Sequence, residues 1–364
     1  MEVFMKTILW FLTIIFLSPF LLSPVFAQGE ATVLFLIINP GARQGGMGET
    51  GVALADDATA IYWNPAGLAF QYEDPEVDKK GEVTLMHVNW LPQFNLSDMY
   101  YDYAAGRYHW QDVGTLGMAI QYISYGESIY TGEGGPEELG RFNSSEVSVT
   151  GSYALKLKSN LGLGVNLKYI YSRLSPIEVT VGAEKGKGIA SGFAVDLGVL
   201  WHPGFAKKLS LGANLSNVGP KISYVDYTQA DPLPTNLRLG LAYHLVKSQY
   251  NTLTFIYETN RLLVHRDSTS VDGVFEAMFY SAWADEDGFT KFTHSIGAEY
   301  WYTDLIALRA GYFYEDPSAG GRKFYTFGGG LRYSLFGFDF SYILGSVEDS
   351  PLSDTMRFSL GIKF

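Results

Sequence analysis

Apolar and polar residues alternate along most of the chain beyond residue 80. In the segment LGLGVNLKYIYS, residues 161–172, leucine, valine and tyrosine occupy one face, whereas Gly162, Asn166 and Lys168 occupy the other. A period of two residues predicts a β-strand, because successive side chains of a strand point to opposite faces. Segments of about ten residues also have the length that a tilted strand needs to cross the hydrocarbon of a membrane.

Fourteen such segments follow one another, and their connections alternate between short and long. Three residues follow the second segment, seventeen the third, two the fourth and fifteen the fifth. Bacterial outer-membrane barrels combine an even number of strands with short periplasmic turns and longer outer loops, whereas a secreted sandwich has no reason to keep this asymmetry. We predict strands at 81–91, 99–109, 113–125, 143–157, 160–173, 189–201, 208–217, 235–246, 250–260, 291–302, 304–315, 322–334, 336–344 and 354–364.

The predicted fold class is therefore all-β, a transmembrane antiparallel β-barrel of about 14 strands with both termini in the periplasm. At the amino terminus, Lys6 precedes an almost uncharged apolar stretch, and Ala27 ends a small-residue exit. This pattern predicts a cleaved signal peptide at 1–27 and export to the outer membrane of a Gram-negative-type cell. The remaining domains are a segment at 28–80 and the barrel at 81–364, which outer-membrane lipid would surround.

The last strand alternates apolar and polar residues up to an aromatic terminus. This ending resembles the C-terminal insertion signal of outer-membrane barrels, which implies the barrel assembly machinery as a partner. The residues that carry the resemblance are Phe358, Leu360, Ile362 and Phe364.

The amino-acid composition excludes several classes of function. The chain has no cysteine, which excludes disulfides and thiolate metal sites. Its net charge of −12 argues against a nucleic-acid partner, because such binding depends on Lys and Arg at the phosphates. Aromatic residues make up 15% of the chain, as expected where a surface passes from lipid to water.

The segment before the barrel contains GMGETG, residues 46–51, which fits the G-x-G-x-x-G pattern of a dinucleotide-binding turn. Such a fold needs a sustained helix and further βα units, but Pro65 interrupts the helix and strands follow. We therefore expect no cofactor. A glycine-rich unit before a wide barrel is instead expected to fill the lumen as a hatch.

Within this hatch, Asp56 or Asp57 would open a short helix, and Asn64 would cap a second turn that has Pro65 at its first position. Its charged residues, including Glu49, need partners, which we expect among themselves or at Arg238, Lys168 or Arg332 of the wall. The predicted hatch residues are Arg43, Gly46, Gly48, Gly51, Asp56, Asp57, Asn64, Pro65 and Gly67.

The string GARQGGMGETGVALADDATAIYWNPAGLA, residues 41–69, resembles the N-terminal signature of the PorV/PorQ family of outer-membrane proteins. It is similar, more distantly, to the FadL family of hydrophobic-compound transporters. The first resemblance implies a non-catalytic component of type IX protein secretion, with the translocon and secreted cargo proteins as partners. The alternative is a FadL-like channel that takes up fatty acids or other hydrophobic compounds, with a small molecule in the lumen.

Candidate catalytic and metal-binding residues are few. None of the six histidines has metal-ligand spacing. His265 with Asp267 and Asp272 forms the one cluster at the predicted rim, but no nucleophile, base and orienting group can be placed together. We expect neither an enzyme nor a metal site.

The long outer loop from Arg261 to Thr290 carries apolar residues at helical spacing, with Asp272 available as a cap and Asp285 to Asp287 following. Two roles are open for this stripe: a lid packed over the barrel mouth, or a surface for a partner or apolar ligand. The residues concerned are Phe275, Met278, Phe279 and Trp283.

Overall fold

The computed structural model describes residues 31–364, apart from 75–77, 95–97, 132–134, 136, 182–183, 226–229, 267–271, 285–289 and 346–349. The predicted signal peptide at 1–27 lies outside these residues, as do Asp267 and Asp285 to Asp287.

Fourteen antiparallel strands form a closed barrel in which each strand pairs with its sequence neighbours and β1 pairs with β14. This confirms the predicted fold class. The strands are β1 Gly81–Asn89, β2 Met99–Trp110, β3 Gly114–Thr131, β4 Glu138–Lys158, β5 Leu161–Val181, β6 Glu184–Trp201, β7 Leu209–Val218, β8 Asn236–Lys247, β9 Asn251–Leu262, β10 Thr293–Tyr302, β11 Ile306–Tyr314, β12 Lys323–Tyr333, β13 Phe336–Gly345 and β14 Met356–Lys363.

The four strands β3 to β6 are longer than the sequence predicts. Residues 126–131 and 138–142, expected in an outer loop, continue the β3–β4 pairing, and 174–181 continues β5 against β6. The pairing register shifts between Ser124 and Glu127, and again between Arg173 and Ser175. A bulge interrupts the two-residue period without ending the pairing. The alternation of apolar and polar residues therefore ends before the strand does.

The outer face of the wall is apolar, whereas the inner face carries buried polar and charged side chains beside an apolar cluster. On β5, Leu167 is 60% exposed, whereas the neighbouring Lys168 is 2% exposed. A soluble protein has the opposite arrangement, but a barrel in hydrocarbon needs apolar side chains on its outer face.

The hatch, of which residues 31–74 are described, lies inside the barrel and contains two short helices, α1 Ala42–Gly45 and α2 Ala60–Trp63. Its 3-10 turns span Leu34–Ile37 and Pro65–Phe70, and two more lie between strands at Pro92–Phe94 and Pro317–Ala319. An outer helix follows β9 in three contiguous stretches, Val274–Glu276, Ala277–Ser281 (π-helical) and Ala282–Ala284. Among the described residues, none of these helices has the length and hydropathy of a membrane span.

Glycines on the inner wall let the backbone of the hatch touch the strands. A β-carbon on Gly164 of β5 would lie 2.3 Å from the backbone nitrogen of Ala66. One on Gly198 of β6 would lie 2.3 Å from Oδ1 of Asn64. The hatch and the wall are thus in contact at van der Waals distance, with no space for a larger residue.

Replacing Gly164 with valine is expected to destabilise the protein by about 1–3 kcal/mol, because the side chain would displace the 65–66 turn. Gly151→Val is the matched control, since a β-carbon there meets nothing within 4 Å. Urea unfolding in detergent micelles measures both variants. Equal free energies of unfolding for the two would contradict the close packing.

Candidate functional site: the hatch contacts and the outer helix

The glycine-rich turn of the hatch packs on the barrel wall. A β-carbon on Gly46 would lie 3.0 Å from Cα of Gly328, and one on Gly51 would lie 2.4 Å from the ring of Trp63. Gly48 has a φ of 71°, and its N–H donates to Oγ1 of Thr326 at 2.7 Å. These glycines therefore stand where the backbone of the hatch closely approaches strand β12 or the ring of Trp63.

The wall itself supplies a hydrogen-bond acceptor to this turn. The N–H groups of Gly51 and Val52 both donate to Oε2 of Glu258 on β9, at 2.8 and 2.9 Å. These are the donors that a phosphate would need in a dinucleotide fold. Because a buried carboxylate already occupies them, the motif serves to hold the hatch to the wall.

Arg43 joins the hatch to β10. Its guanidinium makes a two-bond contact with Glu299, at 2.8 and 2.7 Å, and a further bond to Asp57 at 3.1 Å. It also pairs with Asp56. Paired bonds between guanidinium and carboxylate are stronger than neutral hydrogen bonds and fix orientation, so Arg43 holds this edge of the hatch.

The charged contacts continue along the inner wall. Glu299 accepts from Arg309 of β11 at 2.7 Å, Arg309 donates to Asp339 of β13 at 2.8 Å, and Asp339 accepts from Arg332 of β12 at 2.7 Å. One buried network therefore connects the hatch to four neighbouring strands.

A second ion pair joins the hatch to β14. Glu49 accepts from Arg357 at 2.6 Å and from Nδ2 of Asn39 at 2.8 Å. The charged residues of the hatch were expected to pair with each other or with Arg238, Lys168 or Arg332 of the wall. The ion pairs of Arg43 with Asp56 and Asp57 confirm the first expectation. The second was wrong for Glu49, whose wall partner is Arg357.

The three expected cations have other partners. Arg332 pairs with Asp339 of the neighbouring strand, and Lys168 pairs with Asp196 at 2.9 Å. Arg238 does contact the hatch, but through Oδ1 of Asn39 at 2.7 Å, the hydroxyl of Tyr62 at 2.8 Å, and the faces of two aromatic rings. A single sequence gives the charges but not which of them meet.

Burial and charge act in opposite directions on the hatch carboxylates. Burial alone would raise the pKa of Asp57, but Arg43 and two hydrogen bonds from Thr59 bring it below its ordinary value. The pKa of Glu49 is likewise lowered, because Arg357 outweighs burial. Burial raises the pKa of Tyr62 to about 12. The two carboxylates are thus ionised at neutral pH and can pair with arginine.

Asn64 and Pro65 form the turn that the sequence predicts. The side chain of Asn64 accepts from the N–H of Ala66 at 3.1 Å and donates to the carbonyls of Val52 and Val199, at 2.8 and 2.9 Å. Its three bonds join two parts of the hatch to β6. At Gly67, a β-carbon would lie 2.0 Å from the carbonyl oxygen of Ala55, so this turn also packs on the preceding segment.

The preceding helix begins later than predicted. α2 starts at Ala60, and Oδ1 of Asp57 accepts from the N–H of Thr59 at 2.9 Å, just before it. Asp57 therefore orders the turn that leads into the helix, while Asp56 faces Arg43.

Two cavities lie on opposite sides of the hatch. One, of about 330 Å³, is lined by Arg43, Asp57 and the short turns at Asp304 and Ser334. The other, of about 390 Å³, is lined by Leu34, Ile38, Glu49, Phe313 and residues of the long loops, including Arg322 and Leu352. Hatch residues separate the space at the short-turn end from the space at the long-loop end.

The outer helix lies against the outside of the wall, so the lid over the barrel mouth, one of the two roles left open for it, was wrong. Met278 and Ala282 are buried against Leu263 and against two residues of the outer face, Leu215 of β7 and Leu237 of β8. Phe275, Phe279 and Trp283 are exposed. The helical spacing was correct, but it could not say which surface the buried face would meet.

Asp272 does not cap this helix, since the residue at the cap position is Gly273 and offers no side chain. Asp272 instead contacts Nδ1 of His265 at 2.9 Å. Asp267, the third member of the predicted cluster, lies outside the described residues. Within the described part of the chain, no group of three or more potential ligands could hold a metal ion.

The four apolar residues of the predicted insertion signal share the outer face of β14. Phe358, Leu360, Ile362 and Phe364 are all exposed there, and the ring of Phe364 lies close to Gly81 of the first strand. Recognition by the assembly machinery stays a prediction.

A scan against protein-family models matches the family described as type IX secretion system protein PorV, over residues 28–269. The match spans the hatch and the first nine strands, about two thirds of the chain. This chain belongs to that family. It is therefore an outer-membrane β-barrel associated with type IX protein secretion, and the resemblance inferred from residues 41–69 is confirmed.

Solved structures show the same architecture at low identity. The toluene transporter TodX of Pseudomonas putida is 13% identical with a TM-score of 0.55, and the alignment covers 90% of this chain and 99% of that one. The toluene transporter TbuX of Ralstonia pickettii is 14% identical with a TM-score of 0.51, covering 90% and 98%. These likenesses show the fold alone. The search of the curated proteins found no significant match.

Replacing Arg43 with alanine is expected to weaken hatch docking by about 3 kcal/mol, because it leaves a buried carboxylate with one arginine partner fewer. The purified PorV-family barrel in planar lipid bilayers should then show more frequent or larger ion-conducting openings than the wild type. Arg141→Ala is the control, since Arg141 makes its ion pairs at an exposed site on β3–β4. Conductance unchanged by R43A would show that Arg43 does not hold the hatch.

Proposed function

We propose that this barrel is a membrane-anchored docking component of type IX secretion, which binds a partner or cargo protein at its outer end. The single observation that carries the proposal is the sheet formed by the outer parts of β3 to β6, here called the projecting sheet. These strands have 18 to 21 residues, whereas β1, β2 and β7 have 9 to 12. β3 exceeds its neighbour β2 by six residues (18 against 12), and β6 exceeds its neighbour β7 by eight (18 against 10). At ~3.3 Å per residue, this corresponds to about 20–26 Å of paired sheet beyond the neighbouring strands.

The projecting sheet offers apolar side chains outside the predicted membrane band. Ile129 and Tyr130 of β3, Leu139 of β4 and Leu174 of β5 are all exposed. Exposed apolar groups of this kind, rimmed by polar residues, are typical of protein-interaction surfaces. Arg141 and Glu138 form such a rim beside them, with an ion pair at 2.5 Å.

The topology that this role requires follows from the loop lengths. The short turns and both termini lie in the periplasm, and the long loops face the cell exterior. The proposed domains are a signal peptide at 1–27, the hatch at 28–80 and the barrel at 81–364, and the family match that starts at residue 28 supports the first boundary.

A FadL-like channel for hydrophobic compounds is the second candidate. The observation that favours it is the outer cavity, where Leu34, Ile38 and Phe313 would contact an apolar ligand. Passage to the periplasm would require the contacts of Arg43, Glu49 and Gly51 with the wall to break.

The double substitution Ile129→Asp and Leu139→Asp is expected to abolish partner binding, because it places two charges in an apolar contact. In cells, the amount of type IX cargo at the surface and in the medium should fall severalfold, while the amount of barrel in the membrane stays constant. Asn143→Asp, on the same hairpin, adds a charge at an already polar position and serves as control. Normal cargo secretion with I129D/L139D would refute docking at the projecting sheet, and lost growth on a hydrophobic carbon source would favour the channel.

A further inference from the structure

Arg261 is an arginine on the outer, lipid-facing side of the wall. On β9, Glu258 contacts the hatch, and Asn260 and Leu262 line the outer cavity, so the even-numbered residues face the lumen. Odd-numbered residues such as Phe255, which is exposed, face outward. By this alternation Arg261 points away from the lumen.

The outer helix covers this arginine. The guanidinium of Arg261 donates to the carbonyl of Ala282 and lies 4.7 Å from the ring centre of Trp283 and 5.1 Å from that of Phe292. Trp283 directs its own N–H to the carbonyl of Met278 at 2.8 Å. A cation on the lipid face of a barrel destabilises it unless it is near an interface or paired, so the helix has a reason to lie here.

The opposite face of the helix is aromatic and uncovered. Phe275 is 70%, Phe279 64% and Tyr280 74% exposed. These side chains continue the apolar outer surface of the strands below, where Leu239, Phe255 and Ile296 are also exposed. The helix therefore extends the surface that the barrel already presents to lipid.

The height of the outer helix along the barrel axis corresponds to that of a membrane interface. Arg261 lies ten residues along β9 from Asn251, at the short-turn end of the strand. With a rise of ~3.3 Å per residue and a tilt of about 40°, this places Arg261 about 25 Å above that end, which is the height of the apolar band. Helices with one aromatic face and polar neighbours lie in the plane of such interfaces.

We propose that the outer helix is an interfacial anchor: Arg261 holds its inner face on the wall, and Phe275 and Phe279 insert among the acyl chains of the outer leaflet. Lipid is the occupant because the aromatic face is continuous with the lipid-facing wall at the same height. This inference does not depend on the projecting sheet, which lies on the other strands. It assigns the predicted partner or ligand surface to lipid.

The absence of native cysteine permits a direct test. Full-length Phe279→Cys carries a nitroxide label and is reconstituted in dioleoylphosphatidylcholine vesicles, where accessibility to oxygen and to a water-soluble nickel chelate is measured by electron paramagnetic resonance. The ratio of oxygen to nickel accessibility is expected to match that of labelled Phe255→Cys on the lipid-facing wall. It should exceed the ratio for Ser318→Cys, an exposed residue of another outer loop.

Two further variants test the orientation and the anchor. Labelled Glu276→Cys, one position from Phe275 on the same helix, should be more accessible to nickel than the label at 279. In the Arg261→Leu background, the label at 279 should gain mobility and its oxygen-to-nickel ratio should fall. Circular dichroism confirms that each variant keeps its sheet.

Each other outcome overturns the proposal. A ratio at 279 equal to that of Ser318→Cys would place the aromatic face in water. A label shielded from both oxygen and nickel would mean that protein, from a second copy or another part of the chain, covers the helix. An unchanged spectrum in R261L would remove Arg261 as the anchor.

Discussion

In hydrocarbon, no backbone N–H or C=O group can be left without a partner, and the rest of this structure depends on that constraint. Fourteen strands meet it by pairing in a ring, so that no edge faces lipid. Closure also changes the usual distribution of side chains, since the outer face must be apolar and the polar and charged side chains of the strands lie on the inner face. A ring of this width encloses more space than wall side chains can fill, and the hatch occupies it.

The hatch fits an interior that differs from one side to the other. Towards β1 to β6, Trp63 and Leu68 join an apolar cluster with wall residues such as Tyr101 and Ile170. Towards β9 to β14, the same segment meets carboxylates and arginines, among them Glu299. Helix α2 thus packs by burial, whereas α1, which carries Arg43, and the glycine-rich turn are held by charge. This division gives the hatch one orientation, because turning it would bury charges against the apolar side.

The sequence predicted the features that depend on a repeating pattern, and it missed the contacts between residues far apart in the chain. Alternation located the strands and their faces, and Asn64 with Pro65 was recognisable because a cap and its turn are local. The contact between Arg43 and Glu299 joins residues 256 positions apart, and one sequence carries no signal for it. The outer parts of β3 to β6 were missed for a different reason. Bulges change the period of the apolar residues there, although the strands stay paired. Arg261 lay one residue beyond a predicted strand end, and continuing the alternation by one position would have placed it on the outer face.

The pairing of the first strand with the last has a consequence for the order of assembly. Gly81 and Phe364 exchange backbone hydrogen bonds of 2.7 and 2.9 Å, so the ring is completed where its first strand meets its last. The closing contact joins the two strands of the barrel that are most distant in sequence. Bringing such distant segments together costs entropy that only the finished contacts repay. The hatch touches β5, β6, β10 and β14, so its contacts connect strands from both halves of the ring and are part of what repays this entropy.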